Sequence, residues 1–320
     1  MSEHDDLIRG ILQKDPWSLG RLARMIDDGL PGKDETLTQL HAMGGHSRVV
    51  GITGPPGAGK STLISSLIRE GRKQDHTVAV LAVDPTSPYS GGAVLGDRVR
   101  MQEHATDPGV YIRSLATRGH MGGLSRSVQH LVTLLDAAGF DLIILETVGV
   151  GQEEVEIKDL AQTVVFVTVP GLGDGIQAMK AGVLEIAHIY LVNKADRPMV
   201  DSTVKDLQTM LSMSEDENAW IPPVLTTVAT EGTGVAEVLA ELDRHFGHLE
   251  TSGGLEIWRK SVAESSVIEA IRGSMEESLA QLLGRSGSEF EVDVERVSQK
   301  EEGPLSVARR WLAKLNFNQD

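Results

Sequence analysis

The chain has 320 residues, no cysteine, 40% hydrophobic and 24% charged residues, and a formal charge of −16. That length accommodates one large α/β domain with smaller appendages, and the ordinary composition excludes a disordered, collagenous or disulfide-stapled chain. The acidity argues against nucleic acid or an anionic membrane surface as a partner, because both need a basic footprint.

The first ten residues are acidic and polar, without the basic-then-apolar pattern of a secretion signal. Cysteine-free usage suits a reducing, cytoplasmic setting. Residues 1–47 read as a helical N-terminal segment. Leu19, Leu22, Ala23 and Ile26 recur at helical spacing, and Gly29 supplies a stop.

From 48 to 249 short β-branched runs alternate with helical patterns. The expected strands are Val49–Thr53, Val78–Asp84, Val110–Leu115, Leu142–Thr147, Val164–Val169, Ile189–Asn193 and Val224–Val228. Most are continuous apolar runs, as parallel strands covered on both faces require. The alternation predicts an α/β fold with a doubly wound, mostly parallel sheet, whose ligands sit outside the carboxyl ends of the strands. The longest uncharged run, Leu160 to Gly173, is too short to span a bilayer and is broken by Pro170 and Gly171.

After the first strand, Gly54-Pro55-Pro56-Gly57-Ala58-Gly59-Lys60-Ser61 fits the P-loop pattern, and an amphipathic helix over Ser61–Arg69 follows at once. The glycines let backbone N–H groups curl around phosphates, and the helix N-terminus adds a favourable dipole. Lys60 would reach the β- and γ-phosphates, and the Ser61 hydroxyl would ligate magnesium.

Three carboxylates belong to the same expected edge. Asp84 opens the rigid turn Asp84-Pro85-Thr86-Ser87-Pro88, Asp97 sits in Gly96-Asp97-Arg98, and Glu146 begins Glu146-Thr147-Val148-Gly149. Magnesium takes octahedral oxygen ligation and keeps several waters, so one or two of these suffice. Turn initiation by Asp84 and helix capping by Asp97 are the alternatives. Gly149 can offer its N–H to a γ-phosphate, which would make its loop a switch. Gln152 is a candidate for orienting the attacking water, with a plain surface role as the alternative.

Asn193-Lys194-Ala195-Asp196 ends a late strand. In P-loop GTPases N-K-x-D reads guanine, because the Asp carboxylate accepts from ring N1–H and the exocyclic amine, donors that adenine lacks. Val228-Ala229-Thr230, after the next strand, is in place for a base loop in which the Ala229 N–H is the group needed. The ten histidines form no tight ligand set; His41 and His46 are merely close in sequence. From 250 to 320 the chain turns helical: Leu255–Leu283 as one helix or two with a stop at Gly284, Phe290–Val297 leaning helical, and Pro304 opening a segment through Leu315.

The motifs in this order, with Arg118-Gly119-His120-Met121-Gly122-Gly123-Leu124 between them, resemble the MeaB family of G3E GTPases, relatives of the human methylmalonic aciduria type A protein. The resemblance covers nearly the whole chain. It implies a homodimeric, magnesium-dependent GTPase with GTP or GDP bound, acting as chaperone of an adenosylcobalamin-dependent acyl-CoA mutase. The adenosylcobalamin then belongs to the mutase. The resemblance extends the P-loop to Thr62 and makes the C-terminal helices a dimerisation arm. It sets the guanine reader at Asn193, Lys194 and Asp196 and the magnesium and switch carboxylates at Asp84, Asp97 and Glu146. It also implies a mutase-contacting switch near Asp174–Gly182 with Lys180 within it. Two other readings are a nickel-insertion GTPase, which lacks thiolate ligands here, and a kinase of a transport-related binding protein, which would need an acceptor site.

Overall fold

The structure is a computed structural model that describes residues 3–85, 101–117, 125–147, 153–171, 186–211, 220–285 and 287–314. Its centre is a parallel sheet of β1 (Arg48–Thr53), β2 (Val78–Pro85), β3 (Val110–Thr117), β4 (Leu142–Glu146), β5 (Thr163–Thr168), β6 (Ile189–Asn193) and β7 (Val224–Thr227). The seven strands lie in the order β3-β2-β4-β1-β5-β6-β7. Every pairing is parallel, with Val50 opposite Ile144 on one side of β1 and Thr163 on the other. The expected strands are all present, with ends differing by a residue or two. The central strands β4, β5 and β6 are buried at every position, which is why each reads as an unbroken apolar run. Edge strand β7 is only half-buried.

Three helices precede the sheet: α1 (Glu3–Leu12), α2 (Pro16–Asp27) and α3 (Lys33–Met43). Asp15 caps α2 by accepting the Ser18 N–H at 2.8 Å, Pro16 occupies its first turn, and Leu19, Leu22, Ala23 and Ile26 form its buried face. The chain then turns at Gly29, whose φ of +61° suits glycine.

Successive residues of β1 point to opposite faces of the sheet. Val49 joins Ile143, Leu22, Leu40 and Leu131 on the side covered by the N-terminal helices and α5 (Ser125–Ala137). Val50 and Ile52 join Ile144, Leu63, Leu67, Val238 and Leu242 on the side covered by α4 (Lys60–Lys73) and α8 (Val235–Ser252). Between these, α6 (Glu153–Leu160) and α7 (Val200–Leu211) complete the winding. Gly51 lets α6 approach β1 closely: a Cβ there would lie 2.6 Å from the Ile157 side chain, which would have to shift.

Two compact units divide the chain, Met1–Val262 and Ala263–Asp320. The helix α9 (Gly254–Arg285) ends one residue past Gly284, within a residue of the expected stop. In the second unit α10 (Gly287–Ser298) and α11 (Pro304–Leu312) are braced by Asp293, which accepts from Trp311 Nε1 at 2.9 Å and from Arg310 at 2.7 Å. The Arg310 and Trp311 hydrogen bonds hold the Asp293 carboxyl below its ordinary range. No helix among the described residues is long and apolar enough to cross a membrane.

Candidate functional site

The carboxyl edge of the sheet gathers the motif residues. Gly54 follows β1, Glu146 ends β4, Asn193 ends β6, and Val228-Ala229-Thr230 follows β7. The loop from Gly54 to Gly59 depends on glycine. Gly54 has a φ of +140°, and a Cβ on it would stand 2.0 Å from the Val167 carbonyl oxygen. Gly57 and Gly59 have φ of +77° and +92°, and a Cβ on Gly59 would lie 2.5 Å from Asn193 Nδ2. The chain between them curls tightly enough for Ala58 N–H to donate to Pro55 O at 3.2 Å. Pro55 is buried, whereas Pro56 and Gly57 face solvent.

Lys60 opens α4 and is 7% exposed. Its Nζ donates to Gly54 O at 2.7 Å and to Pro55 O at 3.3 Å, so the cation lies folded back along the inside of the loop. Ser61 donates its hydroxyl to Glu146 Oε1 at 2.8 Å, and both residues are buried. A hydroxyl and a carboxylate held together offer the hard oxygen donors that magnesium requires, so this pair fits the ion. Thr62 is half-buried on the next position of the helix. Behind the loop, Thr147 and Thr53 are joined hydroxyl to hydroxyl at 3.0 Å, locking β4 to β1 beneath the phosphate loop.

Asn193 is 2% exposed and its side chain is spent inside the protein. Nδ2 donates to Ala58 O at 2.9 Å, while Oδ1 accepts from Thr227 Oγ1 and from the Ala229 N–H, each at 3.1 Å. It therefore fastens the phosphate loop to the base loop. Lys194, in the left-handed region with φ of +59°, stretches across the loop and donates to Gly57 O at 2.7 Å. Asp196 is exposed at the same edge. In the base loop, Ala229 is buried, Val228 half-buried and Thr230 exposed; the loop is closed by Val228 N–H donating to Thr233 O at 3.1 Å.

Sequence reasoning missed a second row of polar side chains on α4. Ser66 donates to Ala229 O at 2.6 Å, pinning the base loop from below. Ser65 donates to Glu103 Oε1 at 2.6 Å and lies 2.9 Å from His104 Nε2, and Arg69 donates to the same Glu103 oxygen at 2.9 Å. The Ser65 hydroxyl, then Arg69, hold the Glu103 carboxyl below its ordinary range. Hydroxyls at 61 and 65 share one helix face, but nothing in their spacing announces which carboxylate each meets.

Asp97, Gly149, Gln152 and the segment Asp174–Gly182 with Lys180 lie outside the described residues, as does the side chain of Asp84. The backbone of Asp84 is placed, opposite Ala116 in the β2–β3 register and one residue from the carboxyl end of β2.

A parallel sheet whose first strand passes through a glycine-rich loop into a lysine-headed helix defines a P-loop NTPase. The family model described as methylmalonyl Co-A mutase-associated GTPase MeaB matches residues 19–282. The chain belongs to this MeaB family of G3E GTPases. A relative in Pyrococcus horikoshii, named as a GTPase, is 44% identical over 98% of this chain and 99% of its own length. GTPase ArgK of Escherichia coli is 34% identical over 85% and 83% of the two chains. The mitochondrial methylmalonic aciduria type A homolog of Mus musculus is 35% identical over 69% of this chain and 56% of its own. Among solved structures, that of a LAO/AO transport system kinase covers 98% of both chains with a TM-score of 0.69 at 24% identity, a likeness of fold alone.

Proposed function

We propose that this chain hydrolyses GTP to GDP and phosphate with magnesium, and uses the cycle to gate adenosylcobalamin loading or removal on an acyl-CoA mutase that it protects. The observation that carries the GTPase reading is the joining of the two halves of the edge by one buried side chain. Asn193 binds Ala58 of the loop after β1 and Ala229 of the loop after β7, which supports one site that takes phosphates and base together.

In this reading Gly54 to Thr62 cradle the phosphates, and Lys60 exchanges its Gly54 and Pro55 carbonyl partners for the β- and γ-phosphate oxygens. Ser61 and Glu146, with Asp84 and Asp97, would hold magnesium, which when bound neutralises charge on the transferring phosphoryl group. Asp97, Glu146 and Gln152 are the candidates for placing the attacking water, and the Gly149 N–H would sense the γ-phosphate. Asp196 supplies the carboxylate that guanine satisfies and adenine does not. Lys194, which donates to Gly57 O across the loop, would lie beside the base.

The mutase partner is supported by the family description and by the name of the mouse relative. The segment near Lys180 is the proposed contact. We divide the chain functionally at 1–47, 48–249 and 250–320, the last boundary falling in the final turn of α8, just ahead of α9. A cytoplasmic site of action accords with the lack of cysteine.

Replacing Lys60 with Ala is expected to abolish GTP hydrolysis, read as phosphate release. Asp196→Asn should chiefly lower the preference for GTP over ATP. An Asp196→Asn protein with the wild-type preference overturns the base assignment. For the partner, pull-down on a panel of cobalamin-dependent mutases in GTP and GDP should give nucleotide-dependent capture of one of them. No such capture would remove the chaperone reading and leave the GTPase standing.

A further inference from the structure

Beside α4 lies a cavity of about 340 Å³ that none of the motifs above accounts for. Thr62 stands at one end, Ala229 and Thr230 at the other, and Ser65, Arg69 and Glu103 form the wall between them. Thr62 belongs to the phosphate end of the proposed nucleotide site and Ala229-Thr230 to the base end. In any nucleotide the sugar alone joins phosphates to base. A site with those two ends must therefore place the ribose in the space between them.

The wall of that space is built for an acceptor role. Glu103 is about half exposed, and its Oε1 is fixed by Ser65 at 2.6 Å and Arg69 at 2.9 Å. His104, almost wholly buried, anchors the adjoining backbone with Nε2 3.1 Å from the Ser65 carbonyl oxygen and 2.9 Å from its hydroxyl. The other oxygen, Oε2, accepts no hydrogen bond from the described residues. An ionised carboxylate is a pure acceptor, and the vicinal hydroxyls of ribose are two adjacent donors. The geometry points to Glu103 as the acceptor for the ribose hydroxyls of the bound guanine nucleotide, with Ser65 and Arg69 as positioning residues. The inference rests on the nucleotide reading given above and adds a sugar-specificity element to it.

The consequence is discrimination between ribonucleotides and deoxyribonucleotides. Removing one hydroxyl deletes a charge-assisted hydrogen bond and leaves the carboxylate less satisfied, which should weaken binding about tenfold. Titration calorimetry of the full chain with GDP, 2′-deoxy-GDP, 3′-deoxy-GDP and ADP tests this. The wild type should bind GDP about tenfold more tightly than at least one of the deoxy nucleotides. In Glu103→Ala that ratio should fall to near one while the ratio of GDP to ADP stays as in the wild type. Arg69→Ala, which frees the carboxylate without removing it, should lower the ribose preference only in part. If Glu103→Ala does not fold, Glu103→Gln keeps the length and one acceptor oxygen and should show a reduced preference. Equal binding of GDP and both deoxy nucleotides by the wild type overturns the inference and spares guanine recognition. So does a ribose preference that survives undiminished in a folded position-103 variant. Failure of the wild type to bind GDP at all overturns both.

Discussion

Asn193 is spent on protein groups on both sides of the proposed nucleotide site. Its amide holds three groups that would otherwise be buried without partners: the Ala58 carbonyl, the Thr227 hydroxyl and the Ala229 N–H. Truncation to alanine leaves all three, and stability should fall by about 2–4 kcal/mol, read by urea denaturation. GDP affinity should drop as the two loops separate, while the ratio of GDP to ADP affinity is retained, because the proposed base reader, Asp196, is untouched. A large loss of that ratio, with stability intact, would make Asn193 a base contact instead. The same residue marks where sequence reading runs short. N-K-x-D is legible as a guanine signature with the Asp196 carboxylate as reader, but nothing in the tetrapeptide announces that Asn193 is a buried brace between two loops. Glu103 was illegible for a similar reason: it lies 38 residues from its Ser65 partner, with no motif around it. By contrast the P-loop glycines were readable, since each enforces a backbone geometry local to itself.

At the scale of elements, the sheet was the most legible part of the chain. Strands covered on both faces must be apolar throughout, and β4, β5 and β6 follow that rule at every position. Less visible was how the amino ends of the strands are packed. There His188, just before β6, accepts the Val164 N–H through Nδ1 at 2.9 Å, and its ring lies 4.4 Å from that of His245 on α8. His245 Nδ1 is 2.8 Å from the Thr163 hydroxyl. Trp220 packs 4.6 Å from the His245 ring and donates Nε1–H to the His188 carbonyl at 2.7 Å; His248 and the Arg244 guanidinium face the same indole. Burial pushes His188 down to about 4 and, with the neighbouring His188 and His248, pushes His245 down to about 3. Both lie below the ordinary value of 6.5, so the folded chain binds fewer protons than the unfolded one in that interval. The stability is present above pH 6.5 and is lost as pH falls through it toward 4. Between pH 7 and pH 5 the unfolding free energy should fall by about 2 kcal/mol on account of His188. Thermal melts across that range check it, and His188→Gln should flatten the dependence. An unchanged slope in that variant would assign the acid sensitivity elsewhere.

The whole molecule poses a problem of exposed apolar surface. On α9 in the second unit, Val267, Ile268, Ile271, Met275 and Leu279 are all exposed and recur about every four residues, so they form one stripe. At 1.5 Å per residue the stripe, from Val267 to Leu279, runs about 18 Å along the helix. Isolated apolar residues on a surface are ordinary, but a contiguous row of this length marks an interaction face. A two-fold axis beside the helix would bring the stripe of one copy against that of another, the self-complementary arrangement most homodimers use. This supports the homodimer that the family resemblance implies. The charge makes the proposal sharper. Each copy carries −16, so pairing must overcome mutual repulsion that salt screens, while burial of Ile271 and Met275 is insensitive to screening. Sedimentation velocity should therefore find a dimer whose dissociation constant falls as salt rises. Ile271→Glu with Met275→Glu should give a monomer at the same concentration. That monomer should still bind GDP, because Lys60, Asn193 and Asp196 belong to the unit ending at Val262. A double variant that stayed dimeric would move the interface off the arm, and one that lost both dimer and nucleotide would tie the arm to the site itself.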